Sequence, residues 1–179
     1  MGIPEGREND GFDNFDLSKN PGMEEALMRC LDVAHGLTWC ALLVGGFGTG
    51  KTHLAIAAVR TFAGRTGHAS FWKVPDYLQW LRRKAFGQNA TDDVDELTEA
   101  YRTGLPNLVV FDDLGTENRT EWAGEQLYRI LDARSDRCLP TIITTNQDPE
   151  RIDGRILSRF RAGLILCRGK DIRAQGPER

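Results

Sequence analysis

A chain of 179 residues with 40% apolar content suits a single α/β domain with enough volume for a real core. Its net charge of −3 excludes a polycation drawn to DNA as a whole molecule, so any nucleic-acid binding is expected of a local patch. No apolar run approaches bilayer length, and the polar, acidic start at residues 1–16 lacks the charged-then-apolar plan of a signal peptide, which predicts no membrane partner and a cytoplasmic location.

Residues 1–20, rich in Gly, Asp, Glu and Asn, read mostly as a flexible N-terminal arm ahead of a folded domain at 21–179. Phe12 and Phe15 are the exception, since apolar rings in an acidic tail usually dock. Ala26, Leu27, Cys30, Leu31 and Ala34 recur at helical spacing, with Gly36 as a stop, and predict an amphipathic helix over 21–35. A continuous apolar segment at 39–44 follows as the first strand, and the run from His53 to Val59 reads as a buried helix ending near Gly64. The second strand lies at 69–74. Pro75 then opens a helix whose first turn suits Asp76, carrying Tyr77, Leu78, Trp80 and Leu81 beside Arg82, Arg83 and Lys84.

The stretch 87–90 breaks that helix, and Thr91-Asp92-Asp93 caps another running through Tyr101 to a stop at Gly104. The third strand, 106–113, ends in two carboxylates. A helix over 121–135 turns Trp122, Leu127, Ile130 and Leu131 inward; the fourth strand is 139–146. A short helical segment with Arg155 and Arg159 precedes the last strand at 163–167. Alternating strands and helices predict a three-layer α/β fold, a five-stranded parallel sheet with helices on both faces and a site at the carboxyl ends of its strands. Cys30, Cys40, Cys138 and Cys167 are scattered and never form C-x-x-C, so reduced, mostly buried thiols are expected and His35 is a helix-end residue.

Gly45-Gly46-Phe47-Gly48-Thr49-Gly50-Lys51-Thr52 fits G-x-x-x-x-G-K-[ST] at every fixed position, between a strand and a helix. Glycines let consecutive N–H groups wrap an anionic phosphate at the positive end of a helix dipole. Lys51, expected to face solvent when no nucleotide is bound, adds a mobile charge toward the β- and γ-phosphates of ATP, and the Thr52 hydroxyl is placed for Mg²⁺. Asp112 and Asp113 end the third strand about sixty residues on. There Asp112 would hold Mg²⁺ through water and Asp113 would orient or deprotonate the attacking water. Asn146, at the end of the next strand, is placed to hold that water through its amide or simply to form a turn.

These segments, with Arg155-Ile156-Leu157-Ser158-Arg159-Phe160, resemble the AAA+ ATPase core, and within it the DnaC-type helicase loaders, which include IstB-like transposition helpers and neighbour the DnaA initiators. The resemblance covers nearly all of 12–173. It implies that Phe12-Asp13-Asn14-Phe15 lies near the adenine, and that Arg159 is an arginine finger reaching the γ-phosphate of a neighbouring subunit, with Arg155 in support. Arg173 resembles the sensor-2 arginine. The nucleotide-binding set is then Gly45, Gly46, Phe47, Gly48, Thr49, Gly50, Lys51, Thr52, His53 and Arg173; the catalytic set is Asp113, Asn146 and Arg159; the metal set is Thr52 and Asp112.

DnaC-type loaders usually carry an N-terminal helicase-gripping domain and DnaA-type initiators a C-terminal DNA-binding one, so a bare or truncated motor module is expected. One reading is an ATP-dependent loader that forms a homo-oligomer on single-stranded DNA, gripping it through the 75–103 insertion, with a replicative helicase or transposase as partner. There, Tyr77 and Trp80 interleaved with the basic residues form either a stacking surface or an ordinary amphipathic helix. The second reading is a nucleotide-gated adaptor with little turnover. A small-molecule kinase explains the phosphate site but leaves Arg159 and Asn146 without a role.

Overall fold

The computed structural model describes residues 2–86, 99–102, 107–116, 120–169 and 171. Five strands, β1 (Cys40–Val44), β2 (Ala69–Lys73), β3 (Leu108–Leu114), β4 (Thr141–Thr145) and β5 (Leu164–Leu166), form one sheet in the order β2-β3-β4-β1-β5, every neighbouring pair parallel. The helices are α1 (Glu24–His35), α2 (Lys51–Thr66), α3 (Val74–Phe86), α4 (Glu121–Asp136) and α5 (Gly154–Phe160), with 99–102 also helical. Strand alternation divides the core. Ala41, Leu43, Phe71, Val110 and Ile142 meet α1 and α2 on one face, while Leu42, Val44, Val109, Phe111 and Ile143 meet α3, α4 and α5 on the other. This is the three-layer P-loop fold expected; β1 and β4 are buried at every position, which explains why β1 reads as an unbroken apolar run.

The expected stop of α2 at Gly64 is two residues early. Gly67 is the residue in the left-handed conformation, at φ 79°, and its N–H closes the helix on the Ala63 carbonyl at 2.7 Å. Only the glycine that must take positive φ ends the helix; Gly64 is merely tolerated within it. Cys30, Cys40 and Cys167 are buried free thiols and Cys138 is an exposed one. Among the described residues no helix is long and apolar enough to cross a membrane.

The segment expected to be largely mobile packs on the domain: Ile3, Phe12, Phe15 and Leu17 rest against the α1/α2 core. In the insertion the described aromatics face inward. Tyr77 is fully buried, Trp80 stacks on it at 6.0 Å, Phe111 meets it edge-on at 5.2 Å, and the Trp72 indole donates to the Tyr101 hydroxyl at 3.0 Å. Tyr77 thus belongs to the core, as the amphipathic-helix reading of α3 expects, while Trp80 is half-buried against it and Arg82 and Arg83 are exposed. Arg134 is fully buried and donates to the carbonyls of Tyr101 (2.5 Å), Asn107 (2.9 Å) and Pro140 (2.8 Å) and to the Thr141 hydroxyl (3.0 Å). Burial pushes its pKa down to about 10, so it is still a cation at neutral pH.

Candidate functional site

β1 and β4 lie side by side in the sheet although they are far apart in sequence, and a parallel sheet offers its cleft at such a point, at the carboxyl ends of the strands. β1 delivers the loop 45–50 there and β4 delivers Asn146. α2 begins at Lys51 straight from the loop, with Gly50 in the left-handed conformation at φ 97°. A side chain at 50 would also strike the Phe15 ring, so glycine is required twice over.

A cavity of about 670 Å³ opens at this point, lined by Phe47, Gly48, Thr49, Gly50, Lys51, Thr52 and His53, by Asp113 and Asn146, and by Thr116. Its remaining wall is the N-terminal segment: Arg7, Asn14, Phe15, Asp16, Lys19 and Asn20. Gly45 and Gly46 are not among the lining residues; their carbonyls face Lys51. Lys51 corrects its expectation: it is buried, and its Nζ donates to the Gly45 and Gly46 carbonyls (2.7 and 2.6 Å) and to Asn146 Oδ1 (2.9 Å). An ammonium this close to a ring of inward carbonyls gains more from them than from water it can no longer reach. Phe47, by contrast, is 66% exposed at the rim.

Asp112 is 1% exposed, and its carboxylate accepts from the Thr144 hydroxyl (2.6 Å) and the Thr52 hydroxyl (3.0 Å). Burial holds its carboxyl above the usual carboxylate range, with the Asp113 charge adding to that and the two hydroxyls and Arg7 opposing it. A hard cation fits: a desolvated carboxylate beside a second one, 3.0 Å from a threonine hydroxyl, is the environment such an ion relieves.

β3 carries an irregularity at its last turn. Phe111 pairs with Ile143 but Leu114 with Thr145, so one extra residue is accommodated, and Asp113 takes φ 61°. Its N–H donates to the Thr144 hydroxyl at 3.0 Å, and its carboxylate receives the Asn146 amide at 3.3 Å. The bulge turns Asp113 into the cavity instead of onto the next sheet face. Thr144 thus ties both acidic residues together, a role missed in the sequence, where Thr144 reads as one more strand residue.

The other expected site residues lie elsewhere. Arg159, on α5, does not line this cavity; its guanidinium pairs with Asp132 and with Asp136 (2.7 Å) on α4. Arg155 stacks over Tyr128 at 4.3 Å and pairs with Asp153 at 2.8 Å. Arg173 lies outside the described residues.

The model of the IstB-like ATP binding protein family matches residues 8–155. A Mycobacterium tuberculosis protein named as ATP-binding and located in an insertion sequence is 29% identical over 162 residues, which is 88% of this chain and 61% of that one. The chromosomal replication initiator protein DnaA of Thermus thermophilus is 27% identical over 158 residues, 86% of this chain and 35% of its own length. Among solved structures, the DnaC helicase loader superposes with a TM-score of 0.77 at 23% identity, covering 92% of this chain and all of that one. The DnaA initiator bound to AMPPCP and single-stranded DNA gives 0.74 at 22% identity, covering 88% of this chain and 49% of that one. The fold these share is the AAA+ core.

Proposed function

The chain belongs to the IstB-like ATP-binding protein family, and on that premise we propose that it is a slow ATPase of the AAA+ type that works by nucleotide-dependent assembly of several copies with DNA. The observation that carries the proposal is the convergence of Lys51, Thr52, Asp113 and Asn146, from three separate segments, on one cavity, with Asp112 bonded to Thr52 behind its wall. Loop N–H groups at the start of α2 bind the β-phosphate, and Lys51 exchanges two neutral carbonyls for phosphate oxygens. Mg²⁺ would be held by Thr52 and, through water, by Asp112, and supplies charge neutralisation across the phosphates. Asp113 orients the attacking water and accepts its proton, with Asn146 holding that carboxylate from the side. Arg159 acts across a subunit boundary, stabilising charge on a neighbour's γ-phosphate.

For the protein partner, the family match and the insertion-sequence relative favour a transposase over a replicative helicase. The chain spans 61% of the length of the Mycobacterium tuberculosis relative and 35% of that of the Thermus thermophilus one. DNA binding is assigned to the exposed basic residues Arg82 and Arg83 of α3 through phosphate contacts.

The test is phosphate release over time at several protein concentrations, with and without single-stranded DNA, for the wild type and Lys51→Ala. A rate per subunit that rises with concentration and with DNA, and vanishes in Lys51→Ala, is expected. Nucleotide binding without release under any of these conditions would replace the ATPase by the nucleotide-gated adaptor.

A further inference from the structure

The N-terminal segment is tied along α2 in a fixed order. Asn20 donates to the Thr49 carbonyl at 3.0 Å, Phe15 covers Gly50 and meets the His53 ring edge-on at 5.2 Å, and His53 Nε2 donates to the Gly11 carbonyl at 2.9 Å. One residue earlier, the Asp10 carbonyl accepts from Arg60 at 2.9 Å. The chain then turns, with Asp10 N–H on the Arg7 carbonyl at 3.1 Å, and Arg7 joins the wall of the cavity that Lys51, Thr52 and Asp113 also line.

The Arg7 guanidinium is held in position. Its Nε donates to Asp10 Oδ2 at 2.6 Å and its Nη2 lies 2.6 Å from the same oxygen, while Asp10 Oδ1 stands 3.6 Å from His53 Nδ1. Asp10 thus takes one edge of the planar fork and leaves Nη1 for another acceptor, which a lysine at this position could not offer. Arg7 is about one-third exposed, so the ion pair with Asp10 alone contributes little to stability. It shares the cavity wall with Thr52 and Asp113, the residues assigned to the metal and the attacking water at the terminal phosphate.

We propose that Arg7 is a phosphate-binding residue in cis, its Nη1 edge meeting the terminal phosphate of ATP while Asp10 holds the other edge, so that the N-terminal segment distinguishes ATP from ADP. The inference rests on the reading of this cavity as an ATP site. It also gives the segment a task beyond covering the adenine, since an ADP-bound site offers Arg7 no acceptor.

The experiment is calorimetric titration with Mg²⁺ and either AMPPCP or ADP, on the wild type, Arg7→Gln, Arg7→Lys, Asp10→Asn and Lys51→Ala. Charged hydrogen bonds of this kind predict a loss of about 10- to 100-fold in AMPPCP affinity for Arg7→Gln, with ADP affinity within about threefold of wild type. Arg7→Lys, which keeps the charge and should fold in any case, is expected to lose AMPPCP affinity by a smaller factor, again sparing ADP. Asp10→Asn should lose less than Arg7→Gln, because the cation remains. Equal losses for both nucleotides, unchanged AMPPCP affinity, or Asp10→Asn matching Arg7→Gln would overturn the inference and reduce Arg7 to a tether. A wild type that binds neither nucleotide and behaves like Lys51→Ala would overturn the ATP-site reading itself, and this inference with it.

Discussion

Asp112 carries opposite instructions from the fold and from the ligand. Burial raises its pKa above the unfolded value, so the contribution of its protonated form to stability is present below the unfolded carboxylate pKa and is lost as pH rises through the folded one. In the ligand-free protein burial therefore opposes the charged form of Asp112. Asp112→Asn should remove that penalty, giving a higher melting temperature without nucleotide and a shallower fall in stability as pH rises through the weakly acidic range. The same variant should lose the Mg²⁺-dependent part of ATP affinity. Melting curves across pH, with and without Mg²⁺ and ATP, check both halves; a lower ligand-free melting temperature would show that Asp112 is held by its hydroxyl donors more than it is penalised by burial.

Lys51 shows where residue-level reading stops. The motif identifies it from eight positions, yet its resting place on the Gly45 and Gly46 carbonyls depends on how the loop folds back, which no local pattern records. Arg7 and Asn20 have no sequence signal at all: Asn20 is placed by the distant Thr49 carbonyl of the loop, and Arg7 by Asp10, whose carbonyl is held by Arg60 of α2.

At the scale of elements, the order and type of strands and helices were legible because apolar runs and punctuating glycines are local. The bulge in β3 was not. Its cause is the pairing of β3 with β4, where the Thr144 hydroxyl accepts from Asp113 N–H and donates to the Asp112 carboxylate. Thr144→Val removes that hydroxyl at nearly constant volume and should cost about 1–3 kcal/mol in a chemical-denaturation measurement, since the buried Asp112 carboxylate loses a donor and the part-buried Asp113 N–H its acceptor. It should also lower the rate of ATP hydrolysis at saturating ATP with little change in affinity, because Asp113 is no longer aimed. Asp113→Asn tests the same element from the other side, since Asn tolerates positive φ and should fold normally while hydrolysing slowly. A Thr144→Val enzyme as stable and as active as wild type would show that the bulge holds itself without the hydroxyl. The aromatics of α3 are the corresponding lesson on the surface: interleaved aromatic and basic residues look the same in sequence whether the rings face solvent or Phe111.

For the whole molecule, the question is whether one copy is complete. Arg159 is engaged by Asp132 and Asp136, so on the proposed reading assembly would trade two carboxylates for a neighbour's phosphate. Fingers of this kind supply about 10³–10⁵ in rate in GTPases, nearly all of it in the transition state. Arg159→Ala should therefore bind ATP like wild type and lose most hydrolysis. Mixing Arg159→Ala with Lys51→Ala subunits should restore activity at the interface where an intact loop meets an intact arginine. Absence of recovery, with wild-type rates independent of concentration, would place Arg159 in cis or in the fold alone.

Arg134 gives the insertion a mechanical character. α3 leaves the sheet directly from the carboxyl end of β2, while the Tyr101 carbonyl is pinned by Arg134 beside Asn107 and Pro140, at the amino ends of β3 and β4. A pull on the insertion thus loads β2 and β3, which are parallel neighbours, at opposite ends. Their ladder, in register from Ala69 with Leu108 to Lys73 with Asp112, then carries the load in shear, with its hydrogen bonds sharing the strain at once instead of parting one by one. Force applied there would be delivered along β3 to its far end, where Asp112 and Asp113 stand.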